Sequence, residues 1–383
     1  MKKLFSLCIF LLIQFKVGAQ SSTLFVADSL YQVGNYSKAI TLYDTLETSS
    51  YINTQVAKAY KALGNSKKAI ESYEKVLKVD SLNVLVLYDY GKLLFTTGKL
   101  KKSLATFEQL KVKDTLNPNF HYQVGLVKEA LKQETYTQSY ATAFQLDAQH
   151  QKSIYKLIKN AIQQKDFKAA KSFIAAGLKN NEEDVKIIGY QAQVWYANKK
   201  YRSALLWFEK LIKRQKATQF VYEKAAFSAY RTGEILKAIT YYHEALKRDQ
   251  GNYFYHSQLA KLYYQDGIID KAEHHASQAI VGKMTDPSGD YYILGMVHLD
   301  RKEFRKAMKL FNMALEENPA YELAQLRLAQ CADNYYSDLN AKVKMYERFL
   351  EKFPKAKMEM KKIAEIRIRE LKEEIHLKSE EKN

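Results

Sequence analysis

A repeat of about 34 residues runs through the chain, and it constrains the fold more than any other feature of the sequence. Its clearest marker is a turn position, which is occupied in order by Gly34, Gly64, Gly98, Lys165, Lys199, Gly233, Gly267 and Lys302. Glycine readily takes the left-handed conformation that often ends a helix, so each glycine marker predicts a helix end. Markers at this spacing predict short repeated units rather than one large core.

Small side chains stand seven residues before and five residues after most of these turn positions, and aromatic ones stand nine after several. In the stretch 219–252, Ala226, Ala238 and Tyr242 hold these places around Gly233. Two helices with alanines on their facing surfaces can approach closely. A hairpin of two short amphipathic helices cannot bury both of its apolar faces alone, so it requires neighbours of the same kind.

This pattern resembles the tetratricopeptide repeat (TPR) family, whose units of about 34 residues are helix–turn–helix hairpins. The resemblance implies an all-α fold, a right-handed α-solenoid with about ten stacked units over residues 20–354. The fourth unit, 118–150, is degenerate, because no glycine marks its turn near Leu131 and Tyr136 stands where a small residue is usual.

Residues 355–383 are predicted to form a C-terminal capping helix and a charged tail. One narrow apolar seam runs along this segment at a 4-3-4 spacing, formed by Ala364, Ile368, Leu371 and Ile375. The terminal unit of a solenoid needs a polar outer face, which the charged residues of this segment provide.

The stretch 1–19 is typical of a cleavable secretory signal. Lys2 and Lys3 precede an apolar run from Leu4 to Phe15, and small or medium residues follow before Gln20. The run is too short to span a membrane as a helix. We therefore expect an exported protein, periplasmic or associated with an outer membrane, without a transmembrane segment in the mature chain. The Ala-Gln ending resembles signal peptides of Bacteroidetes. If the signal is not cleaved, a cytosolic adaptor is the alternative.

The sequence predicts no catalytic residues, no cofactor and no metal site. It has no nucleophile elbow and no phosphate-cradling glycine loop, and the mature chain keeps one cysteine, Cys331. The nearest metal candidates are His243, His256, His274 and His275. His274 and His275 are adjacent, and adjacent residues point about 100° apart on a helix. We therefore interpret these histidines as packing or solvent-facing residues and the protein as a non-enzyme.

The family resemblance implies that the first helix of each hairpin lines an inner, concave groove. Lysines recur on these helices six residues before the turn, and tyrosines recur three and ten residues before it, all within about one face. The predicted binding residues are Lys58, Lys61, Tyr88, Lys92, Tyr155, Lys159, Tyr196, Tyr230, Lys261, Tyr264 and Tyr292. Aromatic rings offer contact area at low entropic cost, and lysines attract carboxylate or phosphate groups.

These residues predict a non-catalytic scaffold or assembly factor of the cell envelope that binds another protein or peptide, acidic in character. The formal net charge is +18, and loss of the three lysines of the stretch 1–19 leaves +15, which favours an anionic partner. Direct binding of an anionic glycan or lipopolysaccharide is the alternative, whereas export argues against nucleic acid. A further alternative is that the lysines are solvated and the tyrosines pack on neighbouring units.

Overall fold

The computed structural model of the chain describes residues 22–282 and 286–380, and it divides them into two compact units, 22–184 and 185–380. The predicted signal peptide lies outside the described residues. All regular elements in the described ranges are α-helices, which confirms the predicted all-α solenoid class. Each unit contains five consecutive hairpins, whose paired helices pack on each other and on the next hairpin.

The helices of unit 1 are α1 (22–32), α2 (Tyr36–Tyr43), α3 (Ser50–Ala62), α4 (Ser66–Val79), α5 (Val84–Thr96), α6 (Leu100–Lys113), α7 (Pro118–Ala130), α8 (Tyr136–Leu146), α9 (Gln151–Gln163) and α10 (Phe167–Asn180). Those of unit 2 are α11 (Val185–Ala197), α12 (Tyr201–Lys213), α13 (Gln219–Arg231), α14 (Ile235–Arg248), α15 (Tyr253–Gln265), α16 (Ile269–Val281), α17 (Ser288–Asp300), α18 (Phe304–Glu317), α19 (Glu322–Tyr335), α20 (Leu339–Lys352) and α21 (Met358–Glu380). None of the described helices is long and apolar enough to cross a membrane.

The turn inside each hairpin has one residue in the left-handed region, except in the last hairpin, where the backbone leaves α19 through Tyr336 in an extended conformation. At the α13–α14 turn, Gly233 has φ +81°, and the amide of Glu234 donates to the Ala229 carbonyl at 2.9 Å. This hydrogen bond satisfies one of the carbonyls that a helix end leaves without a partner. Lysines take the same left-handed conformation at three markers, Lys165, Lys199 and Lys302, with φ between 57° and 58°.

The fourth unit also turns through a left-handed residue, which the sequence analysis did not identify. Lys132 has φ 58°, and the amide of Gln133 donates to the Lys128 carbonyl at 2.9 Å, as at the other turns. The second helix of this hairpin, α8, begins at Tyr136, four residues after the left-handed one, whereas α14 begins two after Gly233. The departure of this unit from the repeat is therefore a longer turn and a later helix start.

The core of each hairpin is built from the small and aromatic residues that define the repeat. Ala226 and Ala238 are completely buried, as are the equivalent alanines of the neighbouring hairpins. The large rings nine residues after the turn are also buried, and they are Tyr43, Tyr73, Phe107, Phe208, Tyr242 and Phe311. Close approach of two backbones at alanine leaves room for one ring between consecutive hairpins, and this packing fixes the spacing of the stack.

The last helix, α21, lies against the final hairpin of unit 2. Ala364 and Leu371 of the apolar seam are completely buried, and Ile368 and Ile375 are partly buried in the same cluster as Tyr346 of α20. A bidentate ion pair adds to this contact, since Arg367 donates to both carboxylate oxygens of Asp333 on α19, at 2.6 and 3.2 Å. Residues 381–383 of the predicted tail lie outside the described residues.

Candidate functional site

All eleven predicted binding residues lie on the first helix of a hairpin. Those of unit 1 are Lys58, Lys61, Tyr88, Lys92, Tyr155 and Lys159, on α3, α5 and α9. Those of unit 2 are Tyr196, Tyr230, Lys261, Tyr264 and Tyr292, on α11, α13, α15 and α17. The set is thus divided between the two units.

In unit 1, the predicted tyrosines contact other residues of the same unit. The ring of Tyr88 packs against Phe107 and Phe120, with centroids 6.0 and 6.2 Å away, and its hydroxyl accepts a hydrogen bond from Gln123 at 3.0 Å. The hydroxyl of Tyr155 donates to the carboxylate of Asp184 at 2.5 Å. Both side chains therefore hold consecutive parts of the stack together, which leaves little of either ring for a ligand.

The lysines of unit 1 are more accessible than its tyrosines. Lys61, Lys92 and Lys159 are exposed, and the ammonium of Lys92 lies 5.5 Å from the centre of the Tyr88 ring. Lys58 is half-buried, and neither it nor Lys61 forms an ion pair among the described residues. The predicted lysines of unit 1 therefore lie as separate cations on its first helices.

In unit 2, aromatic rings from three helices meet around Phe227 of α13. Tyr196 of α11 and Tyr201 of α12 lie with their ring centroids 5.8 and 5.5 Å from that of Phe227, and Tyr230 lies 6.5 Å away. Tyr196 and Tyr201 also contact each other at 5.7 Å in an edge-on arrangement. Edge-on aromatic contacts at these distances are favourable, so the rings form one ordered surface.

Two cations lie over these rings. The guanidinium of Arg231 is 4.8 Å from the centre of the Tyr201 ring and 5.9 Å from that of Phe227. The ammonium of Lys224 is 5.4 Å from the Tyr196 ring and 5.5 Å from that of Phe220. We call this set the aromatic–cation cluster, and its members are Tyr196, Tyr201, Phe220, Lys224, Phe227, Tyr230 and Arg231.

The two cations of the aromatic–cation cluster differ in whether a carboxylate already neutralises them. Lys224 pairs with Glu223 at 2.7 Å. Arg231 is exposed and forms no ion pair with any carboxylate in the described part of the chain. A guanidinium has five donors in a planar fork, so Arg231 can donate two parallel hydrogen bonds to a carboxylate or phosphate. Burial raises the pKa of Tyr196, against the opposing charge of Lys224, so its hydroxyl stays protonated and neutral.

Among the predicted residues, Tyr230 is the tyrosine of unit 2 most open to solvent, with 43% of its surface exposed. The hydroxyl of Tyr264 donates to Asp300 at 2.9 Å, and burial together with this carboxylate raises its pKa. Tyr292 packs against Phe311 and Tyr321, with centroids 5.7 and 5.1 Å away. Tyr264 and Tyr292 thus have structural partners.

Lys261 is exposed on α15, close to the start of α17. Its ammonium and the carbon that carries it lie within 4 Å of the position that a β-carbon would take at Gly289. Its charge helps to lower the pKa of Asp286, although the hydrogen bonds from Ser288 have the larger effect. Lys261 therefore belongs to a more acidic part of unit 2 than the aromatic–cation cluster.

Five members of the aromatic–cation cluster were missed in the sequence analysis. Phe227 stands six residues before the turn, in the position counted only for lysines, and Arg231 stands two residues before it. Tyr201 begins the second helix of its hairpin, whereas all the predicted binding residues lie on first helices. A search for aromatic residues at the lysine position would have found Phe227, whereas Phe220 and Lys224 carry no signal in the repeat.

The described residues hold no group of three or more histidine, cysteine, aspartate or glutamate side chains arranged to bind a metal ion. Cys331 is completely buried on α19, and burial raises the pKa of its thiol to about 12. It is therefore an unreactive core residue at neutral pH.

Comparison with known proteins finds a similarity in one part of the sequence. Residues 55–118, from within α3 to the first residue of α7, match the tetratricopeptide repeat family. A comparison with curated proteins found no match.

Solved structures of tetratricopeptide and other helical proteins are similar to the chain at low sequence identity. A tetratricopeptide repeat protein from Parabacteroides merdae is 16% identical over 74% of this chain and 98% of its own, with a TM-score of 0.46. YrrB, described as a TPR protein with an unusual peptide-binding site, is 13% identical over 49% of this chain and 96% of its own, with a TM-score of 0.46. Yeast Tom70 is 14% identical over 95% of this chain and 98% of its own, with a TM-score of 0.41.

Proposed function

We propose that this chain is a non-catalytic scaffold that binds an acidic segment of another protein on the first-helix face of unit 2. The observation that carries the proposal is Arg231, an exposed guanidinium held over two aromatic rings without a carboxylate partner in the described part of the chain. A cation in this state has lost part of its hydration to the rings and keeps its hydrogen-bond donors free for a ligand.

The aromatic–cation cluster suits a peptide that carries both a carboxylate and an apolar side chain. Arg231 supplies the charge contact, and Tyr230, which is 43% exposed, supplies a ring beside it. Phe220, also 43% exposed, supplies a second ring near the start of the same helix, about 16 Å away along its axis. Tyrosine and arginine contribute more binding energy at protein interfaces than most residues. An acidic side chain and an apolar or aromatic side chain a few residues apart are therefore what the partner segment should offer.

The cellular setting of the proposal is the cell envelope, where the chain would act as an exported assembly factor of the periplasm or outer membrane. This part is supported by the signal-like pattern of the stretch 1–19. The mature protein should begin at Gln20, and intact-mass measurement of protein purified from the native envelope checks this. A protein that keeps Met1 and fractionates with the cytosol would instead make the chain a cytosolic adaptor.

The binding proposal is tested by selecting a library of random short peptides on the chain from Gln20 onward. Selected peptides should contain aspartate or glutamate near an apolar residue. Their affinity for Arg231→Ala should fall about tenfold or more, which corresponds to about 1.4 kcal/mol. Arg305→Ala on α18 is the matched control, because Arg305 is also exposed and also forms no ion pair among the described residues. This variant should bind as the unmodified chain does.

Two outcomes would overturn this proposal. One is a set of selected peptides without acidic residues, and the other is equal affinity for Arg231→Ala and Arg305→Ala. Purified lipopolysaccharide and an anionic glycan should be measured in parallel. Binding of either one that depends on Arg231, with no peptide selected, would favour the alternative of direct recognition of an envelope polymer.

A further inference from the structure

Three histidines from three consecutive helices meet inside unit 2, outside the aromatic–cation cluster. They are His243 of α14, His256 of α15 and His275 of α16, and we call them the histidine triad. The His275 ring lies 5.0 Å from that of His256 and 5.5 Å from that of His243, and only 7% of His275 is exposed. The triad therefore lies where α14 packs on α15 of the next hairpin, and the rings of His243 and His275 also bring α14 and α16 into contact.

The hydrogen bond between His256 and His275 requires that at least one of the two rings is neutral. The Nδ1 atoms of His256 and His275 are 2.9 Å apart, a distance at which one nitrogen must carry the proton and the other must accept it. When both rings become imidazolium, both Nδ1 atoms carry protons and this hydrogen bond cannot exist. His243 Nε2 lies 2.7 Å from the Tyr263 hydroxyl, and the Tyr263 ring stacks on His275 at 5.4 Å.

The charges that face the triad do little to offset an added proton. On α16, Lys271 lies with its ammonium 5.1 Å from the Tyr263 ring, and exposed His274 contacts His275 edge-on at 5.2 Å. On α14, Lys247 also acts on His243, and the carboxylate facing this ring, Glu244, is already paired with Lys247 and Arg248 at 2.6 and 2.8 Å.

The remaining neighbouring elements bring charges that are already paired or that act on Tyr263. On α15, Tyr253 lies beside His256, and Asp266, just after the helix, acts on Tyr263. Where α17 packs on α16, His298 of α17 and Arg301, the residue after this helix, both contact Glu273. The α13 helix reaches α14 through Tyr222, whose ring lies under Arg248.

We propose that the histidine triad is an acid-sensitive joint: neutral rings hold α14, α15 and α16 together, and protonation of the triad loosens the contact between the two hairpins. The geometry provides the mechanism, because the Nδ1–Nδ1 hydrogen bond exists for the neutral pair and for the singly protonated pair, and is lost at the second proton. Two imidazolium rings at this separation also repel each other in a partly buried site.

The direction of the pH effect follows from burial. Burial first, and then the charges of the neighbouring histidines, lower the pKa of His275 to about 4. The pKa of His243 and that of His256 are lowered as well, again first by burial. An exposed histidine titrates near pH 6.5, so the open state binds more protons than the closed one below that pH. The joint is therefore stable above about pH 6.5 and weakens as the pH falls toward 4.

Hydrogen exchange followed by mass spectrometry on the chain from Gln20 onward tests this joint. After correction for intrinsic exchange rates, the amides of α14–α16 should lose protection about tenfold or more between about pH 7.5 and pH 5. The amides of α19 and α20, in the same unit but without a histidine, are the internal reference and should change about twofold or less.

Variants at a triad histidine and at an exposed histidine distinguish protonation of the triad from a general effect of acid on the protein. His275→Phe keeps a flat ring on Tyr263 and cannot be protonated, so its α14–α16 region should lose the excess pH dependence. His376→Gln on α21 changes an exposed histidine and should behave as the unmodified chain does. If His275→Phe does not fold, His256→Gln replaces the other ring of the Nδ1–Nδ1 pair, at a half-buried position, by a side chain that cannot be protonated. The proposal fails if α14–α16 respond to pH no more than α19–α20, or if the folded variant keeps the full dependence.

Discussion

Arg231 of α13 places its guanidinium carbon 4.8 Å from the centre of the Tyr201 ring, across the contact between α13 and α12. Because no carboxylate of the described chain neutralises it, the stacking orients the cation without using its hydrogen-bond donors. Such a contact at an exposed site stabilises by about 0.5–1 kcal/mol. Under the proposed function, a ligand carboxylate would meet an arginine whose side chain is already ordered, which would lower the entropic cost of binding.

The packing of the first helices onto the second helices leaves no room for a side chain at Gly91. A β-carbon there would lie 2.8 Å from Cζ of Phe107, whose ring is completely buried. We expect Gly91→Ala to lower the free energy of unfolding by about 1–3 kcal/mol, because overpacked cores must shift rings or backbone. Urea denaturation followed by circular dichroism measures the change.

A matched glycine provides the control for this prediction. A β-carbon built at Gly251 meets open space, and this glycine has no positive φ, so Gly251→Ala should change stability by less than about 0.5 kcal/mol. The double variant Gly91→Ala with Phe107→Leu should show a coupling energy of about 0.5 kcal/mol or more. Independent, additive effects of the two substitutions would contradict the contact.

Lys302 carries a left-handed backbone, φ 57°, at a position where other hairpins have glycine. A non-glycine residue in this region is strained by about 1–2 kcal/mol, and glycine gains more unfolded-state entropy, which offsets part of the difference. We expect Lys302→Gly to raise the free energy of unfolding by about 0.5–1 kcal/mol, which is the remainder of these two effects. Thermal or urea unfolding of the purified chain measures it.

Lys309 is the control for Lys302, since it is exposed in the middle of α18, where the backbone is helical. Lys309→Gly should lower the free energy of unfolding by about 0.5–1 kcal/mol, because glycine is a poor helix former. If both glycine variants change stability in the same direction, the assignment of Lys302 to a left-handed turn is wrong.

The Arg367–Asp333 pair should anchor α21 to α19. Asp333 is largely buried, and burial alone would raise its pKa, but the hydrogen bond and charge of Arg367 lower it instead. Arg367→Ala would leave this carboxylate with Lys342 at 3.4 Å, so we expect a loss of about 1–3 kcal/mol. Hydrogen exchange of α21 reports the loss directly.

The same pair predicts a pH dependence. Because the folded-state pKa of Asp333 is lowered, its stabilisation is present above the unfolded value, which is about 3.9, and is lost as the pH falls below it. Lys378→Ala, which removes an exposed pair with Glu374 on the same helix, should cost about 0.5 kcal/mol or less. Equal loss of protection in α21 for the Arg367 and Lys378 variants would contradict the anchor.

The repeat pattern predicted the hairpins because the residues that determine each hairpin lie within about 34 consecutive positions. The turn residue, the facing alanines and the aromatic ring all lie within a single unit, as Gly233, Ala226, Ala238 and Tyr242 do. The turn of the fourth unit was expected near Leu131, but its left-handed residue was not identified, because Lys132 lacks the glycine signal although its backbone takes the same conformation. Left-handed lysines are identifiable only from the spacing, and Lys132 stands one repeat after Gly98.

The accessibility of the candidate binding residues was harder to predict, because the sequence shows which helix carries a residue but not what covers it. Tyr88, Tyr155 and Tyr264 stand at the repeat positions of a groove, yet each is held by a partner that lies roughly one repeat further along the chain. Arg231 remains open because its neighbours are rings rather than carboxylates. That difference arises from tertiary contacts, which the repeat does not encode.

The proposed pairing of Arg231 with a carboxylate of the bound segment is measured by a double-mutant cycle. The cycle combines Arg231→Ala with replacement of each acidic residue of a selected peptide by its amide, using fluorescence polarisation to obtain Kd. We expect a coupling energy of about 1.5 kcal/mol or more for one carboxylate, as for close charge pairs at other interfaces. Coupling energies near zero for every acidic residue, with Arg231→Ala and Arg305→Ala binding alike, would contradict the account.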